Sequence, residues 1–421
     1  MHRFTATIRI SAFLFLGFIC VGSPAARAQT YTVLHDFTGV LNSAEPAAGL
    51  TPAGTGIFYG TTYGMGQDFE GTVFQLRHTG GNWVVQTIAS GLDFPVGRVV
   101  FGPHGDLYGV TGGGQCGNGL FYCGGVYRLQ LACSNPTCPW VFSSLYQFQG
   151  SIDGAEPHAV DPVFDQAGNL YGTTLFGGTT GNGVVFKLTP PVGGGNGAWS
   201  ETPIYSFTGG SDGREPFSGV IFDSAGNLYG TTAHGGLSDN GTVFKLSPSG
   251  SGWVLQTLHT FQGGTDGQQP FGGLIFDQLG NLYGTTAGAG TGGGGTVFEL
   301  SPSGGGWTFS VVYGLPGVPN HGPFESLTMD VAGNLYGTTA VEGTYDSGSV
   351  FKLAPNNGSW SYTDLYNFSY DNGSIGSPKG AEPMCSVTLD ASGNLYGTAY
   401  IGGLQNMNCP AGCGVVWEIT P

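Results

Sequence analysis

Ionisable residues return to one recurring place in this sequence. Short loops run Asp153-Gly154-Ala155-Glu156-Pro157, Asp212-Gly213-Arg214-Glu215-Pro216 and Asp266-Gly267-Gln268-Gln269-Pro270, and Glu45-Pro46 and Glu382-Pro383 occupy the same place elsewhere. Carboxylates converging from separate loops could hold a hard cation such as calcium, which takes several oxygen ligands. Beside His158, Arg214 and His321 they could also bind or cleave a sugar chain, because acid–base work needs ionisable groups within hydrogen-bond reach of one another. Glu156, His158, Arg214, Glu215, His321 and Glu382 are therefore the candidate ligand-binding residues. Their repetition favours a plainer role, in which Asp-Gly makes a turn and Glu caps amides of a neighbouring unit. No calcium-loop spacing of alternating acids occurs, so neither a metal nor a cofactor is expected.

Other chemistry is weaker. Gly209-Gly210-Ser211-Asp212-Gly213 fits the G-x-S-x-G nucleophile pattern, but a true elbow sits on a strand-to-helix turn and no helix follows. The histidines lack metal spacing, and no glycine run opens a helix that could cradle phosphate. Cys116 and Cys123, Cys133 and Cys138, and Cys409 and Cys413 form three close pairs that suit local disulfides in an exported chain. Cys385 is left over, in a stretch that should be buried.

The elements that must position these residues are repeats. Asn227-Leu228-Tyr229-Gly230-Thr231-Thr232 recurs, whole or worn, around Tyr59, Tyr108, Tyr171, Tyr283, Tyr336 and Tyr396, at spacings of 49 to 63 residues. A period near 50 marks a propeller or solenoid. In the fourth copy, residues 216–223 are β-rich, Ser224-Ala225-Gly226 turns, and Asn227 to Thr232 runs back as a second strand. Gly241 to Leu246 forms a third and Trp253 to Phe261 a fourth. Leu228 and Tyr229 point to opposite faces yet both are apolar or aromatic, so the second strand should be buried on both sides. Gly230 should admit a bulky ring, either Phe244 or Trp253.

Four hairpin-linked strands make one propeller blade, and seven copies make an all-β, seven-bladed β-propeller. The last copy lacks its fourth strand, and Tyr31 to Phe37 matches the missing piece. Blade 7 is accordingly split between 31–37 and 383–420, and the N-terminal strand should close the ring. Residues 29–421 form a single domain in this reading. The longer, more variable loops share one face, opposite the stereotyped Asp-x-x-Gly-Asn turns, and a ligand site belongs there at the tunnel mouth.

Residues 1–28 have the form of an export signal: Arg3 and Arg9, an apolar run from Ile10 to Val21, and Ala26-Arg27-Ala28 before the cut. Without Arg3, Arg9 and Arg27 the chain keeps 8 of its 11 basic residues against 27 acidic ones, a net charge of −19. That charge disfavours nucleic acid and anionic lipid. No later stretch is apolar enough to cross a membrane, and a monomer is expected.

The Asn-Leu-Tyr-Gly-Thr-Thr, Gly-Thr-Val-Phe-Lys-Leu and Trp…Leu-Tyr-x-Phe blocks resemble the GloVer-type tandem repeat of secreted bacterial proteins of the choice-of-anchor kind. The resemblance covers residues 29–421 and implies an exported propeller-like array, with no catalytic residues to carry over. The expected function is a secreted binding module for a carbohydrate or protein on the variable face. The alternatives are a polysaccharide lyase or hydrolase at the tunnel mouth and a passive extracellular component.

Overall fold

A computed structural model describes residues 29–39, 44–64, 70–114, 116, 122–133, 135, 138–193, 197–318, 321–369, 379–407 and 409–421. The segment read as an export signal lies outside the described residues. What is described is all-β: seven four-stranded antiparallel sheets arranged as a seven-bladed propeller. Blade 4 shows the pattern, with strands Ile221–Phe222, Leu228–Thr232, Thr242–Ser249 and Gly252–Thr260. Only two residues of the expected first strand pair with the second. The residues before them leave the ladder to line the central tunnel.

Each blade is built from the same few interactions. Asp223 enters the first hairpin and accepts from the amides of Ala225 and Asn227, both at 2.9 Å, through Oδ1. Its Oδ2 accepts from Asn227 Nδ2 at 2.7 Å and the Tyr229 hydroxyl at 3.0 Å. Asp165 and Asp330 repeat this set. Tyr229 is only 3% exposed, as a strand sandwiched between blades requires. Gly230 admits Phe244: a Cβ there would sit 2.6 Å from the Phe244 ring tip. Trp253 is used differently, packing edge-on against Tyr171 of the preceding blade at 6.3 Å. Tyr59–Trp140, Tyr108–Trp199, Tyr229–Trp307, Tyr283–Trp360 and Tyr396–Trp83 join other neighbours in the same way.

A threonine of the second strand also staples blade to blade. Thr61, Thr173, Thr231, Thr338 and Thr398 donate to the carbonyls of Gly97, Ser218, Gly272, Cys385 and Ala48 in the lead-in of the next blade. Blade 7 joins Thr388–Leu389, Leu395–Ala399 and Val415–Thr420 to the strand Thr30–Asp36, so the first and last described strands lie in one sheet. Tyr31 pairs with Ile419 there and stacks on Tyr366 of blade 6 at 3.8 Å.

All three expected disulfides are formed, Cys116–Cys123, Cys133–Cys138 and Cys409–Cys413. The first and third brace loops of the variable face. Cys385 is a free, fully buried thiol whose Sγ lies 3.2 Å from both the amide and the carbonyl of Thr398. Burial pushes it up to about 11, which keeps it an unreactive thiol at neutral pH. Among the described residues no helix is long and apolar enough to cross a membrane.

Candidate functional site at the tunnel mouth

Seven lead-ins, the segments between each loop and the first strand of its blade, converge on the propeller axis. At the variable face they form a cup of about 310 Å³. Phe217, Phe324 and Met384 supply its apolar wall, Tyr63 and Tyr400 its phenols, and His158 an imidazole. Phe271 extends the aromatic arc, edge-on to Phe217 at 4.9 Å and stacked on Phe324 at 5.4 Å. His158 lies 4.4 Å from Phe217, and its buried Nδ1 has no hydrogen-bond partner. Burial lowers its pKa to about 4, so the ring is neutral over most of the accessible range.

Carboxylates surround the cup. The Tyr400 hydroxyl donates to Glu45 Oε2 at 2.8 Å. Burial raises the Glu45 pKa; the Tyr400 bond opposes the rise and the charge of Glu382 adds to it. Burial likewise raises Glu156 and Glu382. Tyr63 is raised by burial first, then by the charges of Glu45, Tyr122 and Glu156. These groups belong to one electrostatic neighbourhood.

The carboxylate position has a backbone cause. Glu45, Glu156, Glu215, Gln269 and Glu382 all adopt left-handed φ between 54° and 58°. Each amide donates to a carbonyl of the preceding blade (Cys413, Cys123, Asn182, Asn240 and Ser347), and each carbonyl accepts from the end of its own second strand. The contact to the neighbouring blade is thus made by the backbone: the amide donates, and among the described residues no bond from a neighbouring amide to these carboxylates is seen. The following proline packs on the glycine that opens the neighbour's third strand. A Cβ on Gly241, at φ 97°, would meet Pro270 Cδ at 2.5 Å. The aspartates of the same loops are turn residues, as Asp212 shows by accepting from the Tyr205 hydroxyl at 3.0 Å and the Thr208 amide at 2.8 Å.

Of the six candidates, only His158 lines the cup itself; Glu156 and Glu382 stand around it. Arg214 and Glu215 are held elsewhere. Arg214 pairs with Glu215 and reaches Asp239 through Nε at 3.2 Å and a terminal nitrogen at 3.0 Å, while His234 approaches Glu215 at 3.6 Å. His321 is exposed on the loop before the sixth lead-in.

Sequence reasoning missed three charged residues deeper in the tunnel. Arg98 of blade 2 donates from its amide to Asp161 Oδ1 at 3.0 Å and from Nε to Oδ2 at 2.7 Å. Glu325 of blade 6 lines the cup floor, walled by protein yet open to solvent along the tunnel. Burial raises its pKa well above the usual range, and the charge of Asp161 raises it further against the opposing pull of Arg98 and the Ser326 amide. Below the floor lies a second chamber of about 250 Å³, lined by Arg98, Asp161, Ser218, Ser326 and Ser386. A signal for these residues was present. Aligned, the lead-ins are Ala47–Pro52, Val96–Phe101, His158–Phe164, Phe217–Phe222, Phe271–Phe276, Phe324–Met329 and Met384–Leu389, and Arg98, Asp161 and Glu325 are their only charged positions besides His158.

Two clefts between blades, of about 440 and 500 Å³, are larger than the cup. Tyr108 and Trp199 line one and Trp140 the other, the same residues that join blades around the ring, so these clefts belong to the repeated packing. The variable face also exposes Tyr122, Phe176, Leu237, Tyr345 and Met407 around the cup. Among the described residues, no group of three or more His, Cys, Asp or Glu side chains could hold a metal ion.

Comparison with solved structures finds weak likenesses. The chain resembles the polysaccharide lyase Uly1 with a TM-score of 0.51 and 12% identity, over 90% of each chain. An ulvan lyase aligns at 0.44 and 13% identity, over 88% of this chain and 89% of that one. A puromycin-hydrolysing peptidase of Mycobacterium tuberculosis aligns at 0.41 and 10%, over 90% of this chain and 62% of that one. At 12% identity the likeness to Uly1 shows a common fold and carries no chemistry across. No curated protein matches in sequence. The model of the Gloeobacter/Verrucomicrobia repeat matches residues 116–330 and, overlapping them, 161–408, well over half of the chain, and the protein belongs to that family.

Proposed function

We propose that the protein is an exported binding module that takes a saccharide in the tunnel-mouth cup. The observation that carries this reading is the aromatic arc of Phe217, Phe271 and Phe324, closed by Tyr63, Tyr400 and His158. Apolar ring faces stack on aromatic side chains, while a few placed polar groups orient the hydroxyls. The cup lies at the small end of the roughly 300–1,000 Å³ common for ligand sites, which suits one sugar unit of a longer chain. Three disulfides fit an oxidising compartment. Binding of the purified protein to a panel of polysaccharides and oligosaccharides tests the reading. Phe217→Ala should abolish the signal, and a panel in which nothing binds above background rejects the proposal.

A second reading, cleavage of the bound chain, has one specific observation in its favour. Glu325 at the cup floor is a carboxyl whose pKa is raised well above normal, as a general acid requires. Release of new chain ends from a bound polysaccharide, lost in Glu325→Gln while binding persists, would establish it.

A further inference from the structure

The charge around the cup is one-sided. Glu45, Glu156 and Glu382 surround it and Glu325 forms part of its floor, while among the described residues no lysine or arginine lines it. Among the described residues, no salt bridge reaches the three rim glutamates. The nearest cation beneath the floor, Arg98, is engaged by Asp161, and Arg214 is engaged by Glu215 and Asp239. The remaining wall is apolar, and the faces of Phe217 and Phe324 in it attract a cation through the ring quadrupole as well as stacking on C–H groups. The buried, unpartnered Nδ1 of His158 adds a neutral polar group that can meet a hydroxyl.

We infer that the cup selects a sugar unit carrying a protonated amine, such as a hexosamine without its acetyl group. This rests on the reading of the cup as a saccharide site and goes further in naming the charge of the ligand. The C–H face of the ring lies against Phe217 and Phe324, and the ammonium faces the glutamates near Tyr63 and Tyr400. An anionic sugar is disfavoured, because its carboxylate or sulfate would meet the three rim glutamates, with no lysine or arginine among the described lining residues. An N-acetylated unit keeps the stacking and loses the charge attraction.

The groups facing the ligand are Glu45, Glu156, Glu325, Glu382, Tyr63, Tyr400 and His158, with the Arg98–Asp161 pair beneath. Glu45, Glu156 and Glu382 have raised pKa values, so they ionise at higher pH than ordinary carboxyls. Affinity for the ammonium therefore rises from acid to neutral pH as they ionise. It also falls with added salt, since part of the site is open to solvent.

The test is calorimetric titration of the full chain with three probes: a glucosamine tetramer, its fully N-acetylated counterpart and a neutral glucan tetramer. The glucosamine tetramer should bind at least about tenfold more tightly than either of the others, one charge contact's worth. Its advantage over the neutral probes, taken as the ratio of affinities, should shrink in Glu45→Gln with Glu382→Gln. Equal affinity for the charged and neutral probes overturns the inference and leaves the saccharide reading standing. Binding of none of the three overturns both.

Discussion

The blade interfaces are of two kinds. In five of them a second-strand threonine donates to the next lead-in, as Thr231 does to Gly272 at 3.2 Å. At the junction of blades 2 and 3 the threonine is replaced by Val110, and at the junction of blades 5 and 6 the Thr285 hydroxyl finds no partner. The lead-ins beyond these two interfaces are the ones that bring Asp161 and Glu325 into the tunnel. Both lapses precede a lead-in that brings an acid to the axis, whereas the lead-in that carries Arg98 keeps its staple, from Thr61 to Gly97. The regular interfaces hold the ring, and the irregular ones add the acids Asp161 and Glu325 to its centre.

That contrast can be broken experimentally, with the largest effect at the irregular side. Asp161→Ala leaves Arg98 unpaired and should cost about 2–4 kcal/mol in denaturant unfolding. Adding Arg98→Ala should recover much of the loss, because the pair and not either residue alone is tolerated. If the double variant is as unstable as the sum of the singles, the two residues are not coupled. At a regular position, Gly230→Ala forces a methyl against the Phe244 ring and should cost about 1–3 kcal/mol. Thr231→Val removes one staple and should cost about 1 kcal/mol. Val110→Thr restores the repeat's own residue and should give no gain, since the lead-in that follows is shifted by an extra residue. A stabilised Val110→Thr would show that the lapse is incidental.

The two regions should also respond to pH in opposite senses. Burial opposes ionisation of Asp165, Asp223 and Asp330, yet hydrogen bonds from the asparagine, the tyrosine and two amides hold all three below the usual value. Their contribution is present above the unfolded-state pKa and is lost as pH falls through the lower folded value. The raised Glu45, Glu156 and Glu382 behave inversely, with their contribution complete below the unfolded pKa and lost as pH rises through the folded one. Thermal unfolding should therefore show a modest rise in stability on mild acidification, followed by a fall at lower pH. Asp223→Asn should flatten the fall and leave the rise.

The ring, the split seventh blade and the three disulfides were legible in the sequence because repetition carries them. Tyr229 and Gly230 are constrained by two-sided burial that recurs at every blade. The ligand-facing chemistry was legible only in part. His158 stood out as an ionisable residue off the repeat, but Arg98, Asp161 and Glu325 lie in lead-ins only a few residues long, where the ladder is reduced to two pairs and the strand pattern is weak. Arg214 and Glu215 looked equivalent to Glu156 and Glu382 because the loop backbone is the same. Their side chains part company because only blade 4 places Asp239 opposite the arginine.

The central claim is that ligands engage the tunnel, where the copies differ, and not the repeated turn face. Amide hydrogen exchange of the full chain with and without a saturating saccharide tests it most directly. Exchange should slow in residues 217–220 and 324–327 and near Tyr63 and Tyr400, with the Asp-x-x-Gly-Asn hairpins unchanged. Protection confined to those hairpins, with the lead-ins unaffected, would contradict it.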